Sequence, residues 1–410
     1  MMSQWSDRAY ALFEEQQRDR GIDLAWVKEK LVRLQIETPS WGYGDSGTRF
    51  KVFQKVGVPR NPYEKFDDAA EVHRLTGACE AVAIHIPWDK VSDYQELKSY
   101  AESVGLKIGA VNPNLFQDDD YMLGSVTNAN ASIRRKAVDH LLECVDIMKQ
   151  VGSNALSLWF ADGTNYPGQG HLRRRKRWLQ EALEETYRAL SPDMKMLIEY
   201  KFFEPGFYHT DVADWGMSFQ AAQKLGPQAE VLVDTGHHAL GTNVEHIVSY
   251  LLDEGKLGGF HFNSRKYADD DLIVGSSNPY ELFLIFYQIL DAHLDEDVKV
   301  RETAENIAYM IDQSHAIEPK IPAMIRSICN IQTQYAKALL INHAELKEKQ
   351  ENNDVLGAEN ALRTAFEIDV TPLLLAVREE RGLPPDPMRA FLESGYQERI
   401  AKRGVGGSSW

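Results

Sequence analysis

One short stretch of the chain places an imidazole close to three consecutive carboxylates. The stretch, GGFHFNSRKYADDDL from Gly258 to Leu272, has His261 within an apolar run and then carries Asp269, Asp270 and Asp271. Adjacent carboxylates disfavour one another's ionisation unless a cation lies among them. Carboxylate oxygens and imidazole nitrogens, without thiolates, suit Mn²⁺, Co²⁺ or Mg²⁺ better than structural zinc. The stretch therefore predicts a site for a divalent cation.

Other apolar runs also end in charged or imidazole side chains. These side chains are His85, Glu199, Lys201, Asp234, His237 and Asp312. Residues two apart on a strand point to the same face, so Glu199 and Lys201 share one side. If the runs are parallel strands of a barrel, all of these groups meet at its C-terminal mouth. We predict that Asp269 and Asp271 join them as metal ligands and that Asp270 turns away. The number of ligands suggests two ions.

Eight β-rich runs alternate with helical patterns along most of the chain. The predicted strands are 31–38, 80–86, 107–113, 154–160, 195–201, 229–235, 258–263 and 306–312. Amphipathic stretches such as ASIRRKAVDHLLECVDIMKQVG lie between most of them, with apolar residues at helical spacing. Nearly continuous apolar strands separated by helices indicate a parallel sheet that is covered on its outer face. Eight such units predict the α/β class and, within it, a closed (β/α)8 TIM barrel.

The pattern becomes purely helical beyond about residue 320. We therefore predict a barrel that carries the metal site over residues 1–320 and a C-terminal helical extension over residues 321–410. The apolar face of such an extension needs another surface, and we expect that surface to belong to a second subunit. The extension thus predicts a homo-oligomer.

Composition and charge narrow the classes of protein to which this chain can belong. Of its 410 residues, 43% are hydrophobic and 26% charged, as in globular proteins. A formal net charge of -16 would repel a phosphate backbone, so we expect no nucleic-acid partner. The chain has no uninterrupted apolar stretch of membrane-spanning length and no apolar leader, so we expect a cytoplasmic protein without a membrane partner. Three widely separated cysteines favour neither disulfides nor a thiolate metal site.

Two further motifs have ordinary structural explanations. GYGDSG, from Gly42 to Gly47, fits the glycine-rich dinucleotide pattern, but Pro59 and Pro62 follow where that pattern needs an immediate helix. The basic run HLRRRKR is followed by EALEE, which offers partners for its charges within one helix. We therefore expect a solvated helix face there and no dinucleotide site at the glycines.

Four motifs resemble those of the L-rhamnose isomerases, in particular the branch with relaxed sugar specificity. They are LIEYK, VDTGHH, HFNSRKYADDD and IDQSH, in this order and spacing. The resemblance covers nearly the whole chain, including SWGYGDSGTRF, VAIHIPWD and LWFADGTNYPGQ. It implies a metal-dependent (β/α)8 aldose-ketose isomerase that interconverts L-rhamnose and L-rhamnulose and acts on related aldoses. It also implies a homotetramer with two Mn²⁺ per subunit, for which Co²⁺ or Mg²⁺ could substitute.

The resemblance also implies roles for individual residues. Matched to the first metal position are Glu199, Asp234, His261 and Asp312. Matched to the second are His237, Asp269 and Asp271, with Glu199 able to bridge. The positions that match sugar contacts are His85, Trp159 and Lys201, with Trp41 and Phe50 as an aromatic lining. Phe50 could contribute across a subunit boundary. The residues expected to take part in catalysis are Lys201, Asp312 and His85.

The physical chemistry of the residues is compatible with this activity. Two divalent ions can hold the sugar hydroxyls and polarise the carbonyl without a strong side-chain base. Lys201 would add positive charge beside the developing oxyanion, and the aromatic side chains would contact the apolar face of the sugar. Two alternatives stay open. One is another barrel metalloenzyme that acts on sugars or phosphodiesters, xylose-isomerase-like or apurinic-endonuclease-like, of which the latter needs a basic rim. The other is a catalytically silent barrel that binds sugar or serves assembly.

Overall fold

The structure is a computed structural model that describes residues 4–45, 52–204 and 207–406. Its strands are β1 (Thr38–Pro39), β2 (Ala81–Ile86), β3 (Lys107–Pro113), β4 (Ala155–Leu158), β5 (Gly163–Thr164), β6 (Lys195–Glu199), β7 (His209–Thr210), β8 (Ala229–Asp234), β9 (Leu257–Phe262) and β10 (Ala308–Ile311). Its helices are α1 (Gln4–Asp19), α2 (Leu24–Arg33), α3 (Pro62–Thr76), α4 (Tyr94–Ser103), α5 (Ala131–Val151), α6 (Leu172–Arg188), α7 (Trp215–Leu225), α8 (Val244–Asp253), α9 (Pro279–Ala292), α10 (Val298–Glu305), α11 (Lys320–Leu339), α12 (His343–Glu351), α13 (Val355–Glu367), α14 (Thr371–Glu380), α15 (Pro387–Glu393) and α16 (Tyr396–Ile400). Short 3-10 helices cover Ser40–Tyr43, Asp119–Leu123 and Ala401–Arg403.

Eight of these strands form one parallel sheet that closes on itself. Their order is β1-β2-β3-β4-β6-β8-β9-β10, and β5 pairs separately with β7. Glu37, just before β1, forms a parallel bridge with Met310 of β10 and donates its N–H to the Tyr309 carbonyl at 2.8 Å. All eight strands therefore have their C-terminal ends at one mouth. The predicted (β/α)8 barrel, with helices after it at the C-terminal end, is confirmed.

Alternation along each strand decides which side chains face the barrel axis. The outward residues of β8, such as Val231 and Val233, belong to the large core beneath the helices. The inward Leu232 packs in a small separate core with residues of other strands. Because side chains alternate with a period of two, Asp234 follows Leu232 toward the axis at the mouth. The same alternation places Glu199 after Leu197 on β6.

The first predicted strand, 31–38, is wrong over most of its length. Residues up to Arg33 belong to α2, and the strand is limited to Thr38–Pro39. Asp23 begins α2 by accepting hydrogen bonds from the N–H groups of Ala25 and Trp26. Buried Val27 and Leu31 then follow at the helical spacing of four residues. The apolar residues at the end of α2 are of types that are common in strands, but they recur with the period of a helix.

The helix α11 lies in the outer layer of the barrel. It packs against α9 and α3, and buries apolar side chains such as Met324, Ile325 and Ile328 there. The apolar face that we expected to require a second subunit is thus covered by the chain itself. Beyond it, α14 packs against α1 and α2, and α15 packs against α3. The division of the chain at residue 320 stays a prediction.

The basic run HLRRRKR opens α6, and its side chains are exposed with one exception. Arg175 is buried and donates to Asp211 at 2.7 Å and to the Gly163 carbonyl at 3.0 Å. It joins β5 to the loop that follows β7. The expectation of a solvated helix face therefore holds for the run except at Arg175, which stabilises these two segments.

Two findings bear on the expectations drawn from composition. Within the described ranges, no helix combines the length and the apolar character that a bilayer span requires. All three cysteines are free thiols, with Cys79 and Cys144 buried and Cys329 partly buried. Burial raises the pKa of the Cys79 thiol to about 12, so it is neither a metal ligand nor a nucleophile at neutral pH.

Candidate active site

A cavity of about 640 Å³ opens at the C-terminal mouth of the barrel. Ten of the twelve predicted site residues line its wall, and Asp234 lies fully buried beneath it. Phe50 lies outside the described residues. The barrel therefore brings the side chains that the sequence singled out to one place, as parallel strands with a common mouth require.

Four predicted ligands from neighbouring strands form one compact group. Glu199, Asp234, His261 and Asp312 each offer one ligand atom, and these atoms all lie within 4.8 Å of one another. Glu199 and Asp234 are the last residues of β6 and β8, His261 is the penultimate residue of β9, and Asp312 follows β10. Three carboxylates and one imidazole at such distances match the mixed oxygen and nitrogen ligands of a divalent cation.

A second group shares Asp234 and adds His237 and Asp269. His237 Nδ1 lies 3.0 Å from the Tyr200 carbonyl oxygen, to which it can only donate. In neutral imidazole this leaves the lone pair on Nε2, which is 3.6 Å from Asp269 Oδ1 and 3.9 Å from Asp234 Oδ2. A histidine held through one nitrogen with the other facing carboxylates is the usual arrangement of a metal ligand.

The three consecutive aspartates have different surroundings. Asp270 accepts hydrogen bonds from the N–H groups of Lys266 and Tyr267 at 2.6 Å and 3.0 Å, and so it caps its own loop. Asp270 nevertheless lines the cavity, so the expectation that it turns away stays a prediction. Asp271 has a φ of 45° and lies in the cavity wall, but it belongs to neither group of potential ligands among the described residues. Its role as a metal ligand stays a prediction.

Burial and neighbouring negative charge both disfavour the ionisation of two carboxylates of the first group. Burial, reinforced by the charges of Glu199 and Asp269, raises the pKa of Asp234 to about 7. Burial and the charge of Glu199 likewise raise the pKa of Asp312 to about 6. Burial disfavours the charged imidazole of His261, yet Glu199 raises the pKa of that imidazole to about 9. The cluster needs positive charge, which protons or a divalent cation can supply.

Two buried atoms of the cluster lack a hydrogen-bond partner among the described residues. They are His261 Nδ1 and Asp269 Oδ1. His261 Nδ1 is 3.2 Å from Glu199 Oε2, and Asp269 Oδ1 is 3.6 Å from His237 Nε2, but neither contact has hydrogen-bond geometry. Buried polar atoms without partners are costly, and a cation bound among them would satisfy both. The residues present therefore fit a divalent metal, and they leave its identity open.

Lys201 places a permanent positive charge in the cavity wall. Its Nζ lies 2.7 Å from Asp269 Oδ2, 2.6 Å from Glu204 Oε2 and 4.9 Å from the centre of the Trp159 ring. Burial lowers the pKa of Lys201, but Asp269 and Glu204 together raise it well above its usual range. Lys201 therefore acts as a cation and not as a base. Sequence reasoning missed Glu204, although its position three residues after Lys201 was a usable signal.

Ring side chains line another part of the cavity, which we call the aromatic wall: Trp41, His85, Trp88, Phe116 and Trp159. The His85 ring stacks on Trp88 with centroids 3.8 Å apart and meets the edge of Trp41 at 5.5 Å. Phe116 contacts Trp159 with centroids 5.0 Å apart. Sequence reasoning missed Trp88 and Phe116. Trp88 could have been found, because it follows His85 by three residues in HIPWD.

The aromatic wall is connected to the first ligand group through Trp41. Its indole Nε1–H donates a hydrogen bond of 2.8 Å to Asp312 Oδ1. Burial lowers the pKa of His85 well below its usual range, and the nearby charge of Lys65 acts in the same direction. His85 is therefore a neutral imidazole at pH 7 that can exchange hydrogen bonds with a hydroxyl group but not act as a cation.

Comparison with known proteins connects this arrangement to sugar chemistry. The sequence model of the family described as "Xylose isomerase-like TIM barrel" matches residues 70–297. A "probable sugar isomerase" of Rhizobium meliloti (strain 1021) is 42% identical over 96% of this chain and 92% of its own length. A second, from Mesorhizobium japonicum, is 41% identical over the same shares, 96% and 92%. A xylose isomerase of Thermus thermophilus is 25% identical over 58% of this chain and 67% of its own.

Solved structures show a likeness in fold alone. The E. coli 3-keto-D-glucoside 4-epimerase YcjR superposes with a TM-score of 0.51 and 13% sequence identity, over 73% of this chain and 100% of that one. A structure of L-ribulose 3-epimerase superposes with a TM-score of 0.50 and 13% identity, over 81% and 97%. At this level of identity, the shared barrel carries no inference about substrate.

Proposed function

Because the chain belongs to the xylose isomerase-like TIM barrel family, we propose that it is a metal-dependent aldose-ketose isomerase. The observation that carries this proposal is the pair of ligand groups that share Asp234, beside a cavity with one charged and one aromatic wall. We further propose L-rhamnose and L-rhamnulose as the substrate pair, with related aldoses accepted. This choice follows from the four motifs LIEYK, VDTGHH, HFNSRKYADDD and IDQSH.

The reaction transfers one hydrogen from C2 to C1 of the aldose while a proton passes from O2 to O1. Two divalent ions, when bound, supply Lewis-acid polarisation and hold the sugar oxygens. Glu199, Asp234, His261 and Asp312 would hold one ion. His237 and Asp269 would hold the other with Asp234, and Asp271 would join them if its loop rearranges. Mn²⁺ is our preferred ion, with Co²⁺ or Mg²⁺ as substitutes.

The protein's own side chains have distinct tasks in this proposal. Lys201 stays charged and stabilises negative charge that develops on a sugar oxygen. His85 is neutral and exchanges a hydrogen bond with a sugar hydroxyl. Asp312, fixed by the indole of Trp41, orients the sugar oxygen nearest to it. Together these groups hold the reacting carbons in one geometry, which lowers the entropic cost of the transition state.

The aromatic wall supports a substrate with an apolar face. Trp41, Trp88, Phe116 and Trp159 place four ring surfaces along one side of the cavity. Sugar rings pack their C–H bonds against such surfaces, and a 6-deoxy sugar adds a methyl group to the contact. This wall favours a 6-deoxy aldose over a phosphorylated sugar, because a phosphate needs cationic or N–H partners.

Removal of the metal should abolish the activity. We expect protein treated with EDTA to convert L-rhamnose at less than about one hundredth of the original rate, since no side chain replaces the Lewis acid. Added Mn²⁺ or Co²⁺ should restore ketose formation, measured by a colorimetric ketose assay over a panel of aldoses. Protein dialysed without EDTA is the control. Full turnover in metal-free protein would contradict the metal role, and cleavage of abasic DNA in place of sugar conversion would favour the phosphodiesterase alternative.

The assembly that we propose is a homotetramer in which the mouth of the barrel lies near another subunit. Large apolar side chains are exposed on loops that follow several different barrel strands, among them Met122 (81% exposed), Tyr166 (74%) and Tyr267 (72%). Exposed apolar side chains in such number around one opening indicate a contact surface. A second copy is the occupant that we propose, since these loops border the cavity of an enzyme whose resemblance implies a tetramer.

Sedimentation velocity tests this assembly. We expect one species of about four times the 46.5 kDa of the chain. Tyr166→Ser combined with Tyr267→Ser should shift the distribution toward smaller species, because burial of aromatic surface stabilises such contacts. Val355→Ser, which removes an equally exposed apolar side chain on α13, is the matched control. Only a 46.5 kDa species at micromolar concentration would exclude the tetramer.

A further inference from the structure

A buried carboxylate, that of Asp89, connects two of the chain segments that carry the aromatic wall and pairs with a lysine of α3. Lys65 on α3 places its Nζ 2.6 Å from Asp89 Oδ1, and the two side chains are 2% and 0% exposed. The other carboxylate oxygen of Asp89 accepts the backbone N–H of His85 at 2.8 Å and the hydroxyl of Ser40. One carboxylate thus receives three donors from three separate segments. We call Lys65, Asp89, Ser40 and the His85 N–H the clamp.

The clamp lies next to the substrate cavity without lining it. Ser40 immediately precedes Trp41, whose indole is bonded to Asp312. His85 stacks on Trp88, and the edge of its ring meets Trp41. The carboxylate of Asp89 therefore determines the distance between the segment after β1 and the segment after β2.

A gain in stability alone does not explain why the clamp is buried. A buried ion pair is often no more stabilising than apolar side chains of similar volume, while removal of one partner is strongly destabilising. A carboxylate suits three donors, because its oxygens offer only acceptor positions. Because hydrogen bonds are directional, they define the distances between the three segments more narrowly than apolar packing would.

We propose that Asp89, neutralised by Lys65, is a positioning residue for substrate binding. It fixes the spacing between Trp41 and the stacked pair of His85 and Trp88, and so determines how closely the aromatic wall fits the sugar. The inference rests on the proposed function, since the fit is measured on aldose conversion. It assigns a role to residues that touch neither the sugar nor the metal ligands.

The first test is Asp89→Asn. An amide has one oxygen and one NH₂ group, so at least one of the three donors would face another donor. We expect KM for L-rhamnose to rise about tenfold, on the scale of a lost buried hydrogen bond to a charged group. The value of kcat should change less than about threefold, because Lys201 and the ligand groups are unaffected. Bound Mn²⁺ should be unchanged.

Asp68→Asn is the matched control. Asp68 lies on α3, as Lys65 does, and is 1% exposed; its carboxylate accepts hydrogen bonds from Arg403 at 2.9 Å and from Tyr396 at 2.8 Å, both outside the aromatic wall. Its loss should lower the melting temperature and leave KM unchanged. An equal rise of KM in Asp68→Asn and Asp89→Asn would show a general loss of stability and overturn the inference.

A double variant distinguishes geometry from charge. In Asp89→Asn with Lys65→Met, the cationic donor is gone and the amide oxygen can turn to Ser40 and the His85 N–H. We expect KM to return to within about threefold of the original value, since two of the three hydrogen bonds are restored. Lys65→Met alone should remain impaired, because it leaves a buried carboxylate without its counter-charge. Failure of the double variant to improve on both single variants would contradict the proposal.

A measurement independent of turnover keeps the inference testable. In protein labelled with 5-fluorotryptophan, the ¹⁹F signals of Trp41 and Trp88, assigned with Trp→Phe variants, should shift in Asp89→Asn and not in Asp68→Asn. Unshifted signals would overturn the inference even if the protein is an active isomerase. Shifted signals in a protein that converts no aldose would support the clamp and contradict the proposed function. If Asp89→Asn does not fold, Ser40→Ala removes one bond of the clamp and should raise KM about threefold.

Discussion

We expect Asp234→Asn to lose aldose-ketose isomerase activity almost completely. Asp234 belongs to both groups of potential ligands, is fully buried, and accepts hydrogen bonds from the Gly236 N–H at 2.6 Å and from the Asn263 amide at 3.0 Å. The substitution removes one negative charge between two cation positions and turns an NH₂ group toward one of them. The rate should fall by more than about a thousandfold, the scale of lost electrostatic stabilisation together with lost Lewis-acid chemistry.

Metal content identifies the cause of this loss. After gel filtration, elemental analysis should find fewer than two Mn²⁺ per subunit in Asp234→Asn. Asp162→Asn is the control, because Asp162 is an equally buried aspartate that accepts the N–H groups of Ser125 and Thr127 at 2.8 Å outside both ligand groups. It should lose stability and keep its metal. Two tightly bound ions in Asp234→Asn would contradict a shared ligand at this position.

Lys201→Met should have the next largest effect and act mainly on turnover. The Lys201 cation lies between Asp269 and Glu204, and it is the charge that we expect to stabilise negative charge on the substrate. Its loss should lower kcat about a hundredfold, since one preorganised charge typically contributes on this scale. KM should change much less, because the aromatic wall is intact.

A lysine at the other end of the same strand provides the control for this variant. Lys195 begins β6 and pairs with Glu230 at 2.9 Å, far from the mouth. Lys195→Met should leave kcat and KM at their original values. Steady-state kinetics with saturating Mn²⁺ compares the two variants. A kcat of Lys201→Met within about threefold of the original would exclude an electrostatic role in the transition state.

The inward side chains of the strands could be assigned from sequence because their period is local. The β-strand places every second side chain on the same face. Glu199, Asp234 and His261 each follow inward apolar or glycine positions on their strands, and so they had to reach the axis once the strands formed a barrel. The error at the first strand has the same origin: Leu31 belongs to an apolar pattern with a period of four, and this pattern continues the helix that begins after Asp23.

Loop residues were less accessible to this reasoning. Asp269 and Asp271 are two residues apart and of one type, yet only Asp269 comes within reach of a ligand group among the described residues. Nothing in the local pattern distinguishes them, because the loop turns through a residue with positive φ. Phe116 likewise lines the cavity through a loop conformation that follows no period.

Sequence patterns were sufficient to predict the barrel, the inward face of its strands after the first, and the carboxylate and imidazole character of its mouth. These properties follow from hydrophobic periodicity and residue type, which act within one segment of the chain. The folded chain was needed to show which ligand atoms lie within 4.8 Å of one another. It also showed that Lys201 contacts two carboxylates and that Asp89 accepts hydrogen bonds from both Ser40 and the His85 N–H. Such distances depend on loops without a period and on contacts between residues far apart in the chain, and so no pattern within one segment contains them.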